Sequence, residues 1–357
     1  MNDRKKVILI SSEKTLFDNG KYYCDNKHIK SIPEALSKYF ELILIVRITK
    51  IARILGSHEI KLNKIIGGSN ILKFISIILK TFKEKNTNYL LISISPYTFI
   101  AYLFLFFFKK KIFVYLRSDG YEEYRCKSRF FGPIIYHIMF TIVSRKATFL
   151  SCADHILRKK EGILVAPSQL DEKWFLKREK PNLDKIQLLY IGRIKIEKGI
   201  FSLLEILQKT ETDFLLTIVG SGENINKSIK NKNIKVINFE NKDESLIKLY
   251  DSHNIFILPS FTEGHPQVLD ESLSRLRPVI IFKEISHVIN YREGVFIAER
   301  NSKSLFEVIN HIMNNYESIQ KKISKTALPT KDDFIKKLPK QLNKQNISFK
   351  KSASNQI

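Results

Sequence analysis

The sequence is poor in the residues that mark several common classes of protein. Only three of its 357 residues are cysteines, and Cys24, Cys126 and Cys152 lie far apart. Neither a disulfide framework nor a cysteine-based zinc site is expected, so a reducing cytoplasm is the predicted compartment. The sequence has no Asp-x-Asp, P-loop or Gly-x-Ser-x-Gly motif, and its eight histidines lack metal-ligand spacing. We therefore expect no metal and no cofactor.

Long hydrophobic runs are also missing. The longest, Tyr97 to Phe108, has 12 residues and stops at three consecutive lysines, well short of the ~20 that cross a bilayer. The apolar run at the amino terminus ends at Ile10, which is too early for the hydrophobic region of a signal peptide. That run predicts a first buried strand instead. The sequence predicts no membrane span.

Acidic residues are scarce in this chain relative to basic ones. The 60 Lys and Arg outnumber the 36 Asp and Glu, which gives a net charge of +24, of which +16 falls within the first 170 residues. Such an excess indicates an anionic partner, and nucleic acid, an acidic lipid surface and phosphorylated substrates all qualify. No aromatic-interleaved basic patch or nucleic-acid module accompanies the charge. Nucleic-acid binding is therefore not expected.

Strand-like and helix-like segments alternate through both halves of the chain. This pattern predicts an α/β fold with two Rossmann-like, doubly wound domains facing across a cleft. We place the domains at residues 1–170 and 171–318, with a basic, partly mobile extension at 319–357. The predicted strands are Lys6–Ser11, Phe40–Val46, Tyr89–Ile94, Ile112–Leu116, Ala147–Ser151, Gly162–Ala166, Ile186–Ile191, Phe214–Val219, Ile234–Phe239, Ile255–Leu258 and Val279–Phe282.

One segment of the second half combines a strand, a tight loop and a helix. The loop Pro259–Pro266 follows a short apolar strand and precedes an amphipathic helix. It places Glu263 in the loop and Glu271 about one turn into the helix, above the carboxyl edge of a parallel sheet, where α/β proteins bind ligands. Taken alone, the two acids are better explained as a turn residue and a helix N-terminal acid that the helix dipole stabilises.

A second segment marks the entry to the C-terminal half. A buried strand ends at Gly192, and Arg193 and Lys198 follow before a helix begins near Gly199. Cations beside a helix N-terminus form an anion site, because the backbone N–H groups and the macrodipole add positive charge there. Arginine can also grip a phosphate with two hydrogen bonds. A solvated basic loop fits the spacing equally well.

Together these segments resemble GT-B glycosyltransferases of the retaining family 4 type (glycosyl transferases group 1), in a divergent form. The resemblance implies a metal-independent, cytoplasmic transferase that moves a sugar from a nucleotide-diphospho-sugar donor to a glycan or polyisoprenyl-linked acceptor, with retention. It also implies a setting in surface polysaccharide biosynthesis, such as lipopolysaccharide or capsule. The matching segments are Glu263-x7-Glu271, Gly192-Arg193 with Lys198-Gly199, Val219-Gly220-Ser221-Gly222, and Pro167-Ser168-Gln169-Leu170-Asp171.

The resemblance also implies roles by position. Glu263 would contact the donor sugar at the reacting centre. Arg193 and Lys198 would hold the diphosphate and act as catalytic cations. Glu271 would accept hydrogen bonds from the nucleotide ribose. The other donor-binding candidates belong to the same motifs: Gly192, Gly220, Gly264, His265 and Pro266.

The N-terminal half matches the resemblance less well. Members of the family often carry a histidine after an inner strand, whereas here Arg117-Ser118-Asp119-Gly120 follows the strand Ile112–Leu116. The role is absent, or it passes to Asp119 as a catalytic candidate or to Arg117 as an acceptor-side phosphate contact. An Asp-Gly turn explains the pattern equally well. The chain departs from the family again at Leu276, which stands where the family has a glycine.

Several alternatives stay open at this point. The chain could be another GT-B sugar-nucleotide enzyme of the epimerase or phosphorylase type, a catalytically degenerate relative or, most distantly, a basic nucleic-acid-binding protein. We also expect peripheral contact with the inner face of an anionic membrane. The apolar faces of Ile71–Lys85 and Tyr97–Lys109 are flanked by lysines, although packing against the sheet explains the bulk of each face.

Overall fold

The computed structural model describes residues 5–24, 27–49, 58–208, 213–220, 222, 225, 229, 231–237 and 243–343. Residues 238–239 of one predicted strand, Ser221 of the predicted glycine turn and residues 344–357 of the predicted extension lie outside these ranges. Two parallel sheets, each with helices packed against it, organise the described chain. The predicted α/β, doubly wound fold class is confirmed.

The N-terminal sheet is built around a parallel array in the order β5-β3-β1-β6-β7-β8-β9. Apolar strand residues are buried on both faces, as expected for a parallel sheet covered by helices. The strands are β1 Lys6–Asp18, β2 Lys21–Cys24, β3 Glu41–Thr49, β4 His58–Glu59, β5 Ile65–Gly68, β6 Thr87–Ile92, β7 Lys111–Leu116, β8 Thr148–Ser151 and β9 Gly162–Leu164. The helices are α1 Lys27–Leu36, α2 Ile71–Lys80, α3 Pro96–Phe107, α4 Gly120–Lys127 and α5 Phe131–Val143.

The second sheet is wholly parallel, in the order β12-β11-β10-β13-β14-β15. Its strand order reverses direction between β10 and β13, and in open α/β sheets ligands bind in the crevice at that reversal. The strands are β10 Gln187–Ile191, β11 Leu215–Val219, β12 Ile234–Ile237, β13 Ile255–Leu258, β14 Val279–Phe282 and β15 Val295–Ala298. The helices are α6 Ile200–Leu207, α7 Asp243–Asp251, α8 Gln267–Ser274, α9 Ser302–Asn314, α10 Tyr316–Ile323 and α11 Lys331–Asn343.

The first strand extends well beyond its predicted end at Ser11. It continues to Asp18 and turns at Asn19-Gly20 into β2, which pairs with it antiparallel. Both turn residues have positive φ, +47° and +77°, as in the two-residue turns that suit a right-twisted hairpin. The residues after Ser11 are mostly polar and, apart from the buried Thr15, they pair at the sheet without being buried, so a hydrophobicity pattern does not reveal this extension.

Helix α11 joins the N-terminal domain although it follows the C-terminal one. Phe334, Leu338 and Leu342 are buried in the same cluster as Val7 and the other inward-facing residues of that side of the first sheet. The Asn88 side chain donates a 2.7 Å hydrogen bond to the Leu342 carbonyl. Residues 331–343 of the predicted C-terminal extension therefore complete a core far away in sequence.

Two buried arginines attach the interdomain connection to the C-terminal domain. Arg275 donates to both carboxylate oxygens of Asp251, at 2.9 and 2.6 Å, and to the carbonyls of Trp174 and Leu176. Arg277 donates to the Tyr250, His253, Glu179 and Asp251 carbonyls. Between them Leu276 has φ +58°. The backbone there keeps the left-handed conformation that favours glycine, although the residue is leucine.

Candidate active site at the carboxyl edge of the second sheet

The two loops singled out by sequence follow β10 and β13, the strands between which the sheet order reverses. Gly199 joins them closely. Its φ is +68°, and a Cβ there would lie 1.8 Å from the Pro259 carbonyl oxygen. Only glycine fits this conformation and this approach, so the Lys198 segment and the Glu263 loop are packed backbone to backbone. The helix predicted after Pro266 is confirmed as α8.

Lys198 and Glu263 form the centre of the candidate site. The Lys198 ammonium donates to Glu263 Oε1 at 2.6 Å, and the Ser260 hydroxyl donates to the same oxygen at 2.7 Å. The two side chains are 19% and 11% exposed, so the ion pair is partly shielded yet open to a ligand. The His287 ring lies 2.8 Å from the Glu263 carbonyl oxygen. The sequence did not predict the contacts of Ser260 and His287: Ser260 lies within the Pro259–Pro266 loop but carried no signal of its own, and His287 lies on a segment with no distinguishing pattern.

Arg193 lies beside this centre on the loop after β10. The Tyr190 hydroxyl donates to the Arg193 carbonyl at 2.8 Å, which fixes the backbone. The Arg193 side chain is exposed and has no hydrogen bond or ion pair with any residue that the structure describes. A Cβ on Gly220 would lie 1.9 Å from the Gly192 carbonyl oxygen. The two glycines therefore allow the loops after β10 and β11 to touch.

Glu271 lies in α8, 7% exposed. The Tyr250 hydroxyl donates to Glu271 Oε2 at 3.0 Å. Burial raises the pKa of Tyr250 well above its ordinary value, and the neighbouring Glu271 carboxylate adds to this. Tyr250 therefore stays protonated and orients the carboxylate.

His265 is held by a pair that sequence reasoning did not identify. Its Nε2 lies 3.2 Å from Asp270 Oδ2, and Arg292 Nε donates to Asp270 Oδ1 at 2.6 Å. Burial opposes ionisation of Asp270, but the hydrogen bonds from His265 and Arg292 hold its pKa below the ordinary value. Asp270 directly precedes Glu271 in the sequence, and that was the only signal available. The Asp270–Arg292 pair therefore holds the loop that contains Gly264 and Pro266 against the start of α8.

The N-terminal domain presents Arg117 and Asp119 to this loop. A Cβ on Gly264 would lie 2.9 Å from the Arg117 carbonyl oxygen, so the two domains meet here. The Arg117 side chain pairs with Glu13 at 2.8 Å. Asp119 accepts from the Tyr121 N–H at the start of α4 and pairs with Arg158. Both predicted residues are thus near the cleft, with their charges engaged by neighbours of their own domain.

A second contact between the domains joins two histidines. The rings of His155 and His287 lie 4.2 Å apart. Burial, aided by the facing His287 ring, lowers the pKa of His155 from 6.5 to about 4. His155 is therefore neutral near neutral pH, and this contact carries no repulsion there.

The structure brings Lys198, Glu263 and Gly264 together. Arg193 lies on the loop after β10, which also carries Lys198, and Arg117 lies across the cleft. Glu271 lies deeper, on α8. Among the described residues, no cluster of His, Cys, Asp and Glu has the size of a metal site. The roles implied for the individual residues, and the expectation that no metal takes part, stay predictions.

Comparisons with known proteins agree with this architecture. Residues 172–328 match the family described as glycosyl transferases group 1. An uncharacterized glycosyltransferase of Haemophilus influenzae is 28% identical over 45% of this chain and 49% of its own length. The capsular polysaccharide biosynthesis glycosyltransferase CapM of Staphylococcus aureus is 28% identical over 45% of this chain and 46% of its own. The chain thus aligns with about half the length of these curated relatives.

Solved structures match over nearly the whole chain. Sucrose-phosphate synthase of Thermosynechococcus elongatus covers 95% of this chain and 98% of its own, with a TM-score of 0.68 and 14% identity. HepE of Anabaena in complex with UDP-glucose covers 95% and 98%, with a TM-score of 0.62 and 12% identity. At these identities the likeness shows the fold alone, and it confirms the predicted GT-B arrangement. Residues 172–328 therefore match the glycosyl transferases group 1 family, within a chain that has the GT-B fold.

Proposed function

We propose that this protein is a glycosyltransferase that moves a sugar from a nucleotide-diphospho-sugar to a glycan or polyisoprenyl-linked acceptor. The observation that carries the proposal is the Lys198–Glu263 ion pair at the reversal point of the second sheet, with the exposed Arg193 on the same loop as Lys198. A donor needs cations for its diphosphate and a carboxylate for its sugar. These side chains supply both within one crevice.

The cations would act where charge develops as the sugar leaves. Arg193 has no ion pair with any described residue, so its guanidinium can grip a phosphate with two hydrogen bonds. The Lys198 ammonium has three N–H donors and can therefore reach a phosphate oxygen while still bound to Glu263. Fixed positive charge beside the leaving diphosphate stabilises the transition state more than the ground state.

The carboxylates would orient the donor. Glu263, fixed by Lys198 and Ser260, would contact the sugar near its anomeric carbon. Glu271, oriented by Tyr250, would accept hydrogen bonds from the two ribose hydroxyls, since one carboxylate can accept from a vicinal diol. We include retention of anomeric configuration, absence of a metal requirement and backbone N–H contacts from Gly264 and His265 in the proposal, on the family resemblance. The contact between Gly264 and Arg117 would help exclude water around the reacting centre.

We further propose surface polysaccharide assembly at the inner face of the cytoplasmic membrane as the setting. CapM of Staphylococcus aureus, one of the relatives, is named for capsular polysaccharide biosynthesis. A membrane-bound acceptor would also suit the excess positive charge of residues 1–170. Within the described ranges, no helix has the length and apolar character that crossing a bilayer requires.

The test is to follow nucleotide release from a panel of nucleotide-sugars incubated with the purified full-length protein. Each donor is offered alone, with inorganic phosphate, and with a lipid-linked saccharide fraction. We expect one donor to release its nucleoside diphosphate only when acceptor is present, and we expect Glu263→Gln to abolish the release. Isomerisation of a donor alone would indicate an epimerase, and phosphate-dependent turnover would indicate a phosphorylase. No turnover under any condition would favour a degenerate relative.

A further inference from the structure

The helices that cover one face of the N-terminal sheet share an unusual composition. Helices α2, α3 and α5 pack over the same buried cluster and contain no acidic residue, and α3 and α5 contain no charged residue at all. All the other α-helices in the described part of the chain carry at least one Asp or Glu. Helix α4, which reaches the same cluster through Tyr124, keeps two glutamates, so the loss of negative charge is specific to α2, α3 and α5.

Helix α5 is largely apolar on its solvent side, where His137 is the one exposed polar residue of the helix, as well as on its buried side. Tyr136, Met139, Phe140 and Val143 are buried against the sheet, as packing requires. The outward positions follow the i, i+3, i+4, i+7 spacing of one helical face. With Phe130, which precedes the helix, they form what we call the α5 face. Its exposed fractions are Phe130 75%, Phe131 70%, Ile134 58%, Ile135 49% and Ile138 54%.

The size of the α5 face sets it apart from scattered surface hydrophobics. A phenylalanine side chain presents ~150–250 Å², so Phe130 and Phe131 together expose roughly 300 Å² of apolar surface. The three isoleucines of the α5 face are each about half exposed and add to this area. The largest apolar patch on a monomer, typically ~300–600 Å², is often functional.

Cations flank the α5 face at both ends. Lys127 and Arg129 precede the helix, Arg145 and Lys146 follow it, and all four are exposed. No acidic residue occurs between Glu123 and Asp154. A second copy of the chain would bring like charges together around such a patch. An anionic bilayer instead offers an apolar region to the centre of the patch and negatively charged headgroups to the cations around it.

The α5 face also lies toward the cleft. Gly120 comes four residues after β7, at the carboxyl edge of the sheet, and a Cβ there would lie 2.0 Å from the Tyr136 ring. The middle of α5 is therefore level with that edge, and the turn before it, with Phe130 and Phe131, extends past the edge on the cleft side. A close approach at Gly132, whose Cβ would lie 1.9 Å from the Tyr124 carbonyl oxygen, fixes this turn against α4.

We propose that the α5 face is the membrane-docking surface of this protein. The five apolar side chains enter the interfacial region of a bilayer, and the four flanking cations bind its anionic headgroups. The cleft then opens at the lipid surface, where a lipid-linked acceptor can enter. Only this last step rests on the proposed function; docking itself does not. Membrane contact by residues 71–85 and 97–109 stays a prediction; of these segments, α3 exposes Phe106 and Phe107 at its carboxyl end, away from the cleft.

The test is co-sedimentation of the full-length protein with vesicles of phosphatidylcholine alone, and with vesicles of equal parts phosphatidylcholine and phosphatidylglycerol. We compare wild type with F131S/I135S, which alters exposed positions only. The matched control is L215S/I297S, which removes two exposed apolar side chains from the C-terminal domain. A further variant, K127E/R129E, reverses two of the flanking charges. Thermal melting checks that each variant is folded.

We expect wild type and L215S/I297S to bind the anionic vesicles, and F131S/I135S to bind at least about tenfold more weakly. K127E/R129E should lose its preference for anionic lipid. Nucleotide binding should be unchanged in all three variants, so a failure of the donor site would be seen separately. Equal vesicle binding by F131S/I135S and the control would overturn the proposal. The proposal would also be overturned if the wild type bound no vesicles and formed a dimer that F131S/I135S converts to monomer.

Discussion

Gly199→Ala should destabilise the C-terminal domain and weaken donor binding together. Gly199 has φ +68°, and a non-glycine residue in that region costs ~1–2 kcal/mol. The added Cβ would lie 1.8 Å from the Pro259 carbonyl oxygen. To restore an ordinary contact, the two loops must separate by more than about 1 Å, and forced overpacking of this kind costs ~1–3 kcal/mol. We expect a total near 3 kcal/mol, or a fall of roughly 6–12 °C in Tm for a domain of this size.

Gly20→Ala provides the matched control. Gly20 has a similar φ, +77°, but a Cβ there has no atom within 4 Å. This variant therefore carries the backbone strain without the collision. We expect it to lose ~1–2 kcal/mol and to bind nucleotide as wild type does.

The difference between the two variants measures the contact between the loops. Separation of Lys198 from the Glu263 loop by ~1 Å should weaken catalysis by about a hundredfold, because misplacement on that scale removes oriented contacts. Urea or thermal unfolding gives the stability of each variant, and nucleotide-sugar titration gives its affinity. If Gly199→Ala cost no more than Gly20→Ala and bound the donor normally, the close packing of the two loops would not support the site.

Two further predictions concern the core and the domain contact. Arg275→Ala leaves Asp251 buried without its 2.6 Å partner and should lower the free energy of unfolding by ~3–5 kcal/mol. The control is Arg125→Ala, which breaks an exposed pair with Glu122 and should change the free energy of unfolding by ~0.5 kcal/mol or less. Comparable losses in urea unfolding would contradict the packing role of Arg275. His155, whose folded pKa of about 4 lies below 6.5, binds its proton more readily when unfolded, so its contribution to stability is present above pH 6.5 and is lost as pH falls toward 4. His155→Gln should flatten the pH dependence of the urea midpoint across this window, and an unchanged slope would refute the assignment.

The placement of the candidate site residues at one edge of the second sheet could be predicted from sequence because these residues lie in short, local motifs. The loops after β10 and β13 each follow a buried apolar strand, so parallel topology alone brings Arg193, Lys198 and Glu263 to one edge. The family resemblance supplied the roles. The contacts of Ser260 and His287 with Glu263, and of Asp270 with His265, depend on how loops fold back. No spacing pattern contains that information.

The features that sequence patterns did not predict were missed for a shared physical reason. Helix α5 begins at Phe131-Gly132-Pro133 and is apolar on both faces, so it gives no helical periodicity. Helix α11 is buried only because it crosses back to a sheet formed more than 200 residues earlier, as the hydrogen bond from Asn88 shows. Leu276 stands where the family motif has a glycine, yet its φ of +58° shows that the backbone turn is retained. Tertiary packing decides all three.

The central claim is that Arg193 helps hold a nucleotide diphosphate at the carboxyl edge of the second sheet. The most direct test is thermal stabilisation of the full-length protein by a panel of nucleoside diphosphates and nucleotide-sugars, for wild type, Arg193→Ala and Lys321→Ala, a control that removes an exposed cation from α10. At ligand concentrations ~100-fold above Kd, binding adds ~2.7 kcal/mol, or roughly 5–10 °C. We predict this shift with one nucleotide family in wild type and Lys321→Ala, and its loss in Arg193→Ala. An equal shift in Arg193→Ala, or no shift with any nucleotide, would contradict the account.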